Sequence, residues 1–255
     1  TATQNSITTA TGLTAVGAAG TASSVAGIPL YTQTNSIYTH DVSATDSTAA
    51  SNTAIGITAM DAITTGDDNV AVGHNAMTAN TGGARNVAIG HDALFTNVTG
   101  NDNTALGMGS LYHNTANNNT AVGMYALHIN STGADNIAVG FKAGNLNSTG
   151  SRNIAIGANA YDASDTENDN IAIGYNAMTT DTAGGTKNIA LGNNTLKALT
   201  SGDRNVGIGD TSLEANTGGG NNTAIGDSTM YTNVSGNYNT ALGYATLAVN
   251  LAGNN

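Results

Sequence analysis

His74 and His91 are the residues whose type and spacing come closest to metal chemistry. They lie seventeen residues apart, and each directly follows the glycine of a recurring Asn-x-Ala-x-Gly motif. If the motif marks stacked turns of the chain, the two imidazoles lie ~4.8 Å apart, within reach of a shared metal ion. Two exposed polar residues would give the same pattern, and the acidic, glycine-rich nonapeptide that binds calcium is absent. We therefore expect no metal site and no cofactor.

Carboxylates are the next side chains that could take part in catalysis, and most of them fall in segments predicted to be turns. A glycan-cleaving enzyme needs two carboxylates that flank a sugar in a groove. Stacked turns bring acidic residues together without forming such a groove. The absence of cysteine also excludes a disulfide framework, a redox motif and a thiolate metal site. We expect no catalytic residues and no enzymatic activity.

Aromatic side chains occupy variable positions of the motif. Exposed aromatic rings stack on sugars or on partner proteins, and they also seal contacts between chains. We consider five of them as candidates for a receptor surface: Tyr112, Tyr125, Phe141, Tyr175 and Tyr244.

Charge narrows the range of partners. Only 9% of the 255 residues are charged, and the formal net charge is −11 with six lysines and arginines. Nucleic acids and anionic membranes attract basic surfaces, so neither is expected as a partner.

A repeat organises most of the chain. The unit Asn-(Thr/Val/Ile)-Ala-(Ile/Val/Leu)-Gly occurs twelve times, with Gly207 as the single replacement of alanine, and the spacing is 16 to 18 residues. The repeat asparagines are Asn52, Asn69, Asn86, Asn103, Asn119, Asn136, Asn153, Asn170, Asn188, Asn205, Asn222 and Asn239. Fixed periods of this kind indicate a stacked repeat architecture.

Each repeat is predicted to form one rung of a β-solenoid. Numbering the unit from its asparagine, positions 1–5 and about 8–11 have room for two short strands, and glycines at positions 5 and 15 suit turns. Seventeen residues are too few for a helical repeat pair, and β-branched residues favour strands. We expect an all-β parallel solenoid of about twelve rungs over residues 52–255, preceded by an irregular cap or joint at 1–51 that contains a degenerate copy, Leu13–Gly17.

The two faces of the first strand are both apolar. Positions 2 and 4 carry larger side chains, such as Val87 and Ile89, whereas position 3 is alanine in eleven of twelve copies. A strand that is apolar on both faces is buried on both. A thin roll has one interior, so we expect the second face to pack against other copies of the chain, in a parallel homotrimer.

Two columns of polar residues are expected to run along the stack. The twelve position-1 asparagines should form a ladder from rung to rung. The position before the asparagine is charged in eight of the twelve repeats, and opposite charges alternate there over two runs of rungs that Asn118 separates. These charges should pair between neighbouring rungs and help to set register. These residues are Asp68, Arg85, Asp102, Asp135, Arg152, Asp169, Lys187 and Arg204.

The run Asn-Val-Ala-Val-Gly-His-Asn-Ala at residues 69–76 resembles the head repeat of trimeric autotransporter adhesins. The longer unit, Asn-Thr-Ala-Ile-Gly-x-x-Ala-Leu-x-x-Asn-Thr-Thr-Gly, is similar to repeats in phage and viral tail fibres and in bacterial surface proteins. The usual adhesin repeat is about three residues shorter. The resemblance implies a left-handed parallel β-roll, three chains around a hydrophobic axis, and attachment to a cell-surface glycan or protein receptor.

We therefore expect a non-enzymatic structural and adhesive fibre segment located outside the cell, on a cell surface or on a virion, without membrane insertion. Two alternatives remain open from the residues. One is a monomeric β-solenoid that binds a ligand or ice, and the other is a glycan-degrading tail spike.

Overall fold

The computed structural model describes residues 22–25, 28–33, 36–39, 48–163, 165–180 and 185–254. The described residues are all-β and form a parallel β-solenoid. The predicted degenerate copy at Leu13–Gly17 lies outside them. Among the described residues, no helix has the length and apolar character needed to cross a membrane.

In the described residues before the repeats there are three strands: β1 (Ala22–Val25), β2 (Ile28–Gln33) and β3 (Ser36–Tyr38). β1 pairs antiparallel with β2, and β2 pairs antiparallel with β3. β3 then pairs parallel with the first repeat strand. The sheet of the repeats therefore continues into this segment.

Twelve three-residue strands, one per repeat, stack in parallel to form the body of the sheet. They are β4 (Thr53–Ile55), β5 (Val70–Val72), β6 (Val87–Ile89), β7 (Thr104–Leu106), β9 (Thr120–Val122), β11 (Ile137–Val139), β12 (Ile154–Ile156), β13 (Ile171–Ile173), β14 (Ile189–Leu191), β15 (Val206–Ile208), β16 (Thr223–Ile225) and β17 (Thr240–Leu242). Equivalent positions face each other, as Ala88 faces Ala105. The register follows the repeat even where its length changes to 16 or 18 residues.

The expectation of a second strand in every rung is wrong. In the described residues that side holds only β8 (His113–Asn114) paired with β10 (Ile129–Asn130), and an isolated bridge between Thr232 and Val249. A pair of left-handed residues at positions 7 and 9, such as Asp92 (φ 57°) and Leu94 (φ 51°), prevents a strand over the predicted positions 8–11, and β8 and β10 begin only at position 11. Left-handed residues interrupt an extended run.

The turn side is nevertheless bonded from rung to rung. The Leu94 N–H donates to the Ser110 carbonyl at 3.0 Å, and the Met77 N–H donates to the Ala93 carbonyl at 2.9 Å. Backbone polar groups are thus satisfied by neighbouring rungs on both sides of the roll.

Position 5 requires glycine for two reasons. Gly90 has φ 142°, in a region that side chains rarely adopt, and a Cβ there would lie 2.6 Å from the Gly107 carbonyl of the next rung. Both conditions exclude other residues, which explains the invariance of this position across all twelve repeats.

The core lies inside the roll and consists of small and medium side chains. Position 3 alanines, position 8 alanines, serines or threonines, and position 9 residues such as Met77, Leu94 and Leu213 are buried in every rung before the last, in which Thr246 and Leu247 are exposed. Positions 2 and 4 point outward: Ile89, Leu106 and Ile156 are 38%, 44% and 37% exposed. The small face of the strand is therefore the interior, and the large apolar face is left on the surface.

Candidate functional site

The position-1 asparagines form a continuous buried column. The N–H of Asn86 donates to Asn69 Oδ1 at 2.9 Å, and the N–H of Asn103 donates to Asn86 Oδ1 at 2.9 Å. Each Nδ2 also crosses the turn, as when Asn86 Nδ2 donates to the Gly100 carbonyl at 2.9 Å. Backbone-to-Oδ1 bonds link every consecutive pair from Asn52 to Asn239. These side chains hold neighbouring rungs and close each turn.

A second asparagine column runs along position 12 of the repeat, and no role was predicted for it from the sequence. Asn130 Nδ2 donates to Asn114 Oδ1 at 2.8 Å, and Asn147 Nδ2 donates to Asn130 Oδ1 at 3.1 Å. Its described asparagines are Asn80, Asn97, Asn114, Asn130, Asn147, Asn216, Asn233 and Asn250. Recurrence of asparagine at a second fixed position of the unit was the signal that could have revealed it.

The position before the repeat asparagine is left-handed throughout, from Ser51 to Tyr238. Asp and Asn tolerate this conformation better than Arg or Lys, so the basic residues here occupy a costly backbone position. For Arg85 and Arg152, an ion pair with the next rung offsets this cost.

The charge column pairs less completely than alternation suggests. Arg85 Nε and Nη2 bind Asp102 at 2.6 and 2.8 Å, and Arg152 makes the same two contacts with Asp169 at 2.6 and 3.2 Å. The expectation that each arginine also reaches the aspartate of the preceding rung is wrong. In the described part of the chain, no ion pair joins Arg85 to Asp68. The Arg85 guanidinium group already binds both carboxylate oxygens of Asp102.

These contacts change the ionisation of the pairs. The hydrogen bond from Arg85 lowers the pKa of Asp102, and the hydrogen bond from Arg152 lowers that of Asp169, with the arginine charges adding to the effect. Both pairs are exposed to solvent, so screening keeps their contribution to stability small. The other four members of the column, Asp68, Asp135, Lys187 and Arg204, make no ion pair within the described residues.

Glu167 is a buried carboxylate, although most carboxylates of this chain were predicted to lie in turns. It is 6% exposed, and its Oε2 accepts the N–H groups of Asp165 and Thr166 at 3.1 Å each. It stands where most rungs have the position-15 glycine, and its backbone carbonyl accepts Asn153 Nδ2 at 2.8 Å. This carboxylate organises a turn.

A cluster of aromatic rings and imidazoles covers one edge of three successive rungs. Phe95 stacks on Tyr112 with ring centroids 4.9 Å apart, and His113 meets Tyr112 edge-on at 4.5 Å. His128 contacts Tyr112 at 5.1 Å and Tyr125 at 5.0 Å. We call these five residues the aromatic–histidine cluster. It contains two of the five candidate receptor residues, Tyr112 and Tyr125.

The other three candidate receptor residues lie apart from that cluster, in the position-6 column. Phe141 is 43% exposed and lies under the Lys142 ammonium, 5.5 Å from the ring centroid. Tyr175 and Tyr244 are 53% and 78% exposed. The structure therefore does not gather the five into one surface.

His74 and His91 stack in the same position-6 column. Their ring centroids are 5.1 Å apart and the ring planes differ by 14°. The structure adds a third residue that the sequence reading missed: Asp92 Oδ2 lies 2.9 Å from His91 Nδ1. Because position 7 is left-handed, the Asp92 side chain lies beside the histidine column, and sequence adjacency alone did not indicate this.

Comparison of the chain with family models, with curated proteins and with solved structures gave no match.

Proposed function

We propose that this chain is a structural and adhesive fibre segment, in which three parallel copies pack through their outward strand faces into a rigid rod outside the cell or on a virion. The observation that carries the proposal is the position-4 column. It is Ile, Val or Leu in all twelve rungs, and every member is partly or largely exposed in the single chain.

The apolar column is long for an isolated soluble chain. Twelve rungs at ~4.8 Å spacing extend over roughly 55 Å. Position 2 widens the strip, with Val or Ile in seven rungs and Thr in five. Monomeric proteins rarely expose contiguous apolar surface of this extent, so the strip favours a permanent partner.

A second copy of the same chain is the partner that fits best. Its rungs have the same spacing, so apolar side chains meet in register along the whole strip. Parallel packing of identical rungs also gives closed rotational symmetry around an axis along the rod.

The association test uses mass in solution. We expect the parent to have a mass three times the 25.3 kDa of one chain, measured by light scattering at micromolar concentration. Ile156→Asp with Ile173→Asp places two charges in the strip and should give a folded monomer, because both side chains point away from the core.

The matched control puts the same two charges elsewhere. Ser201→Asp with Ser235→Asp changes exposed turn positions and should leave the trimer intact. A parent that is monomeric would contradict the proposal. Thermal hysteresis measured on that monomer would then test the ice-binding alternative, and turnover of surface polysaccharide would test the degrading spike.

The adhesive part of the proposal rests on the aromatic–histidine cluster. Its rings present both stacking faces and imidazole nitrogens at the surface, a combination suited to sugars. Tyr112→Ala should abolish binding on a printed glycan array. Tyr231→Ala, at the same repeat position but 43% exposed and outside the cluster, should preserve it, and equal binding by both variants would contradict this assignment.

A further inference from the structure

We propose that His74, His91 and Asp92 form a binding site for one divalent transition-metal ion of the zinc type on each chain. The site is independent of the fibre proposal, because two adjacent rungs of a single chain supply all three ligands.

The backbone brings the ligands together. His74 and His91 occupy equivalent positions after Gly73 and Gly90, so the parallel register places one imidazole over the other. Asp92 follows His91 directly, and its left-handed backbone, φ 57°, places its carboxylate beside the imidazoles. One ligand atom from each of the three residues lies within 4.8 Å of the other two.

The spacing suits a metal after small side-chain rotations. Zinc bonds nitrogen and oxygen at ~2.0–2.2 Å, which puts neighbouring ligand atoms of a tetrahedral site about 3.4 Å apart. Both histidines are exposed, so their rings are free to turn toward a common point. Two imidazoles and one carboxylate are ligands that zinc accepts, leaving a fourth position for water.

Asp92 is held in place by a neighbour from the preceding rung. Asn75 Nδ2 donates to Asp92 Oδ1 at 2.9 Å, leaving Oδ2 on the side of His91. Hydrogen bonds of this kind orient ligating carboxylates in metal sites. The net charge of −11 also favours cation approach.

Two other histidines within the described residues provide an internal comparison. His113 and His128 are 6.1 Å apart and edge-on, and His128 Nδ1 lies 2.8 Å from the Gly109 carbonyl. Among the described residues, the set of His74, His91 and Asp92 is the one group of three side chains close enough to share an ion.

Zinc titration of the full chain by isothermal calorimetry tests the site. We expect one zinc ion per chain. His74→Ala and His91→Ala should each weaken zinc affinity at least about tenfold, and Asp92→Asn should weaken it less. His113→Ala, which removes an exposed histidine outside the site, should bind zinc as the parent does.

Two readouts separate metal binding from a structural effect. Without zinc, the three site variants should melt close to the parental temperature, because both histidines are exposed and asparagine at position 92 suits the left-handed backbone. Cobalt(II) should give visible absorption bands in the parent that disappear in the His74→Ala, His91→Ala double variant. Zinc binding that is absent in the parent, or unchanged in that double variant, would overturn the proposal.

Discussion

The rungs at 69–135 and those at 188–238 share one backbone but present different surfaces. In both regions the inward positions hold asparagine, alanine and a medium apolar residue. The outward position 6 holds His74, His91, Met108 and Met124 in the first region, and Asn193, Asp210 and Asp227 in the second. The fold therefore depends on inward columns, and the outward columns are free to carry function.

The asparagine column should give the largest effect, and an equal one in both regions. Asn103→Ala removes the acceptor of the Asn119 N–H and the donor to the Ala116 carbonyl. Unsatisfied buried groups cost ~1–3 kcal/mol each, so we expect a loss of about 3 kcal/mol in the free energy of unfolding. Asn205→Ala should cost a similar amount. Urea denaturation at a fixed protein concentration measures both.

Asn117→Ala serves as the control for that experiment. Asn117 is exposed and accepts a hydrogen bond from the Asn101 N–H at 2.7 Å, a bond that water can replace. If its loss equals that of Asn103→Ala, burial of the column is not what makes it stabilising.

Gly207 is the single departure from alanine in the position-3 column. A Cβ at Gly207 would lie 2.7 Å from Thr195 Cγ2, so Gly207→Ala should reduce stability although it restores the common residue. In a Thr195→Ser background the clash is removed, and the same change should stabilise by ~0.4–1 kcal/mol. Thermal melts of the four chains form a double-mutant cycle. Additive effects would contradict this account.

The charge column should have a smaller effect that depends on salt. Arg85→Asp places three aspartates in consecutive rungs, at 68, 85 and 102. We expect a lower melting temperature at low ionic strength that recovers at high salt. Arg85→Asn is the control, since it suits the left-handed backbone and adds no negative charge. Equal melting of the two variants at low salt would show that the column does not contribute to register.

The smallest expected effect is on the melting temperature at acidic pH. The lowered pKa of Asp102 and Asp169 means that the folded state binds protons less readily than the unfolded chain. The stabilisation is therefore complete above the ordinary aspartate pKa and is lost as the pH falls through the lowered folded-state pKa. Asp102→Asn with Asp169→Asn should reduce the difference in melting temperature between pH 5 and pH 2. An unchanged difference would contradict the pairing.

Much of the architecture could be predicted from the repeat. Twelve asparagines at nearly constant spacing indicated stacked rungs, and alternation separated alanine from the larger residues of each strand. The histidine stack was also predictable, because parallel register aligns equivalent positions. The second asparagine column was visible in the unit, but its partners were not predicted. Each Nδ2 donates to a carbonyl of its own turn, as Asn97 does to Gly100, and most also reach the amide oxygen of the preceding rung, as Asn147 does to Asn130.

The sequence by itself determined the period, the parallel register and which side chains share a face. Only the tertiary structure decided which face is inside, because that depends on how tightly the chain turns. Left-handed residues stand at positions 7 and 9 in place of the expected second strand, and in the resulting roll alanine is buried whereas Ile, Val and Leu at position 4 are exposed or half-buried. The same turns place Asp92 beside two histidines, a contact that depends on backbone dihedral angles and not on residue spacing.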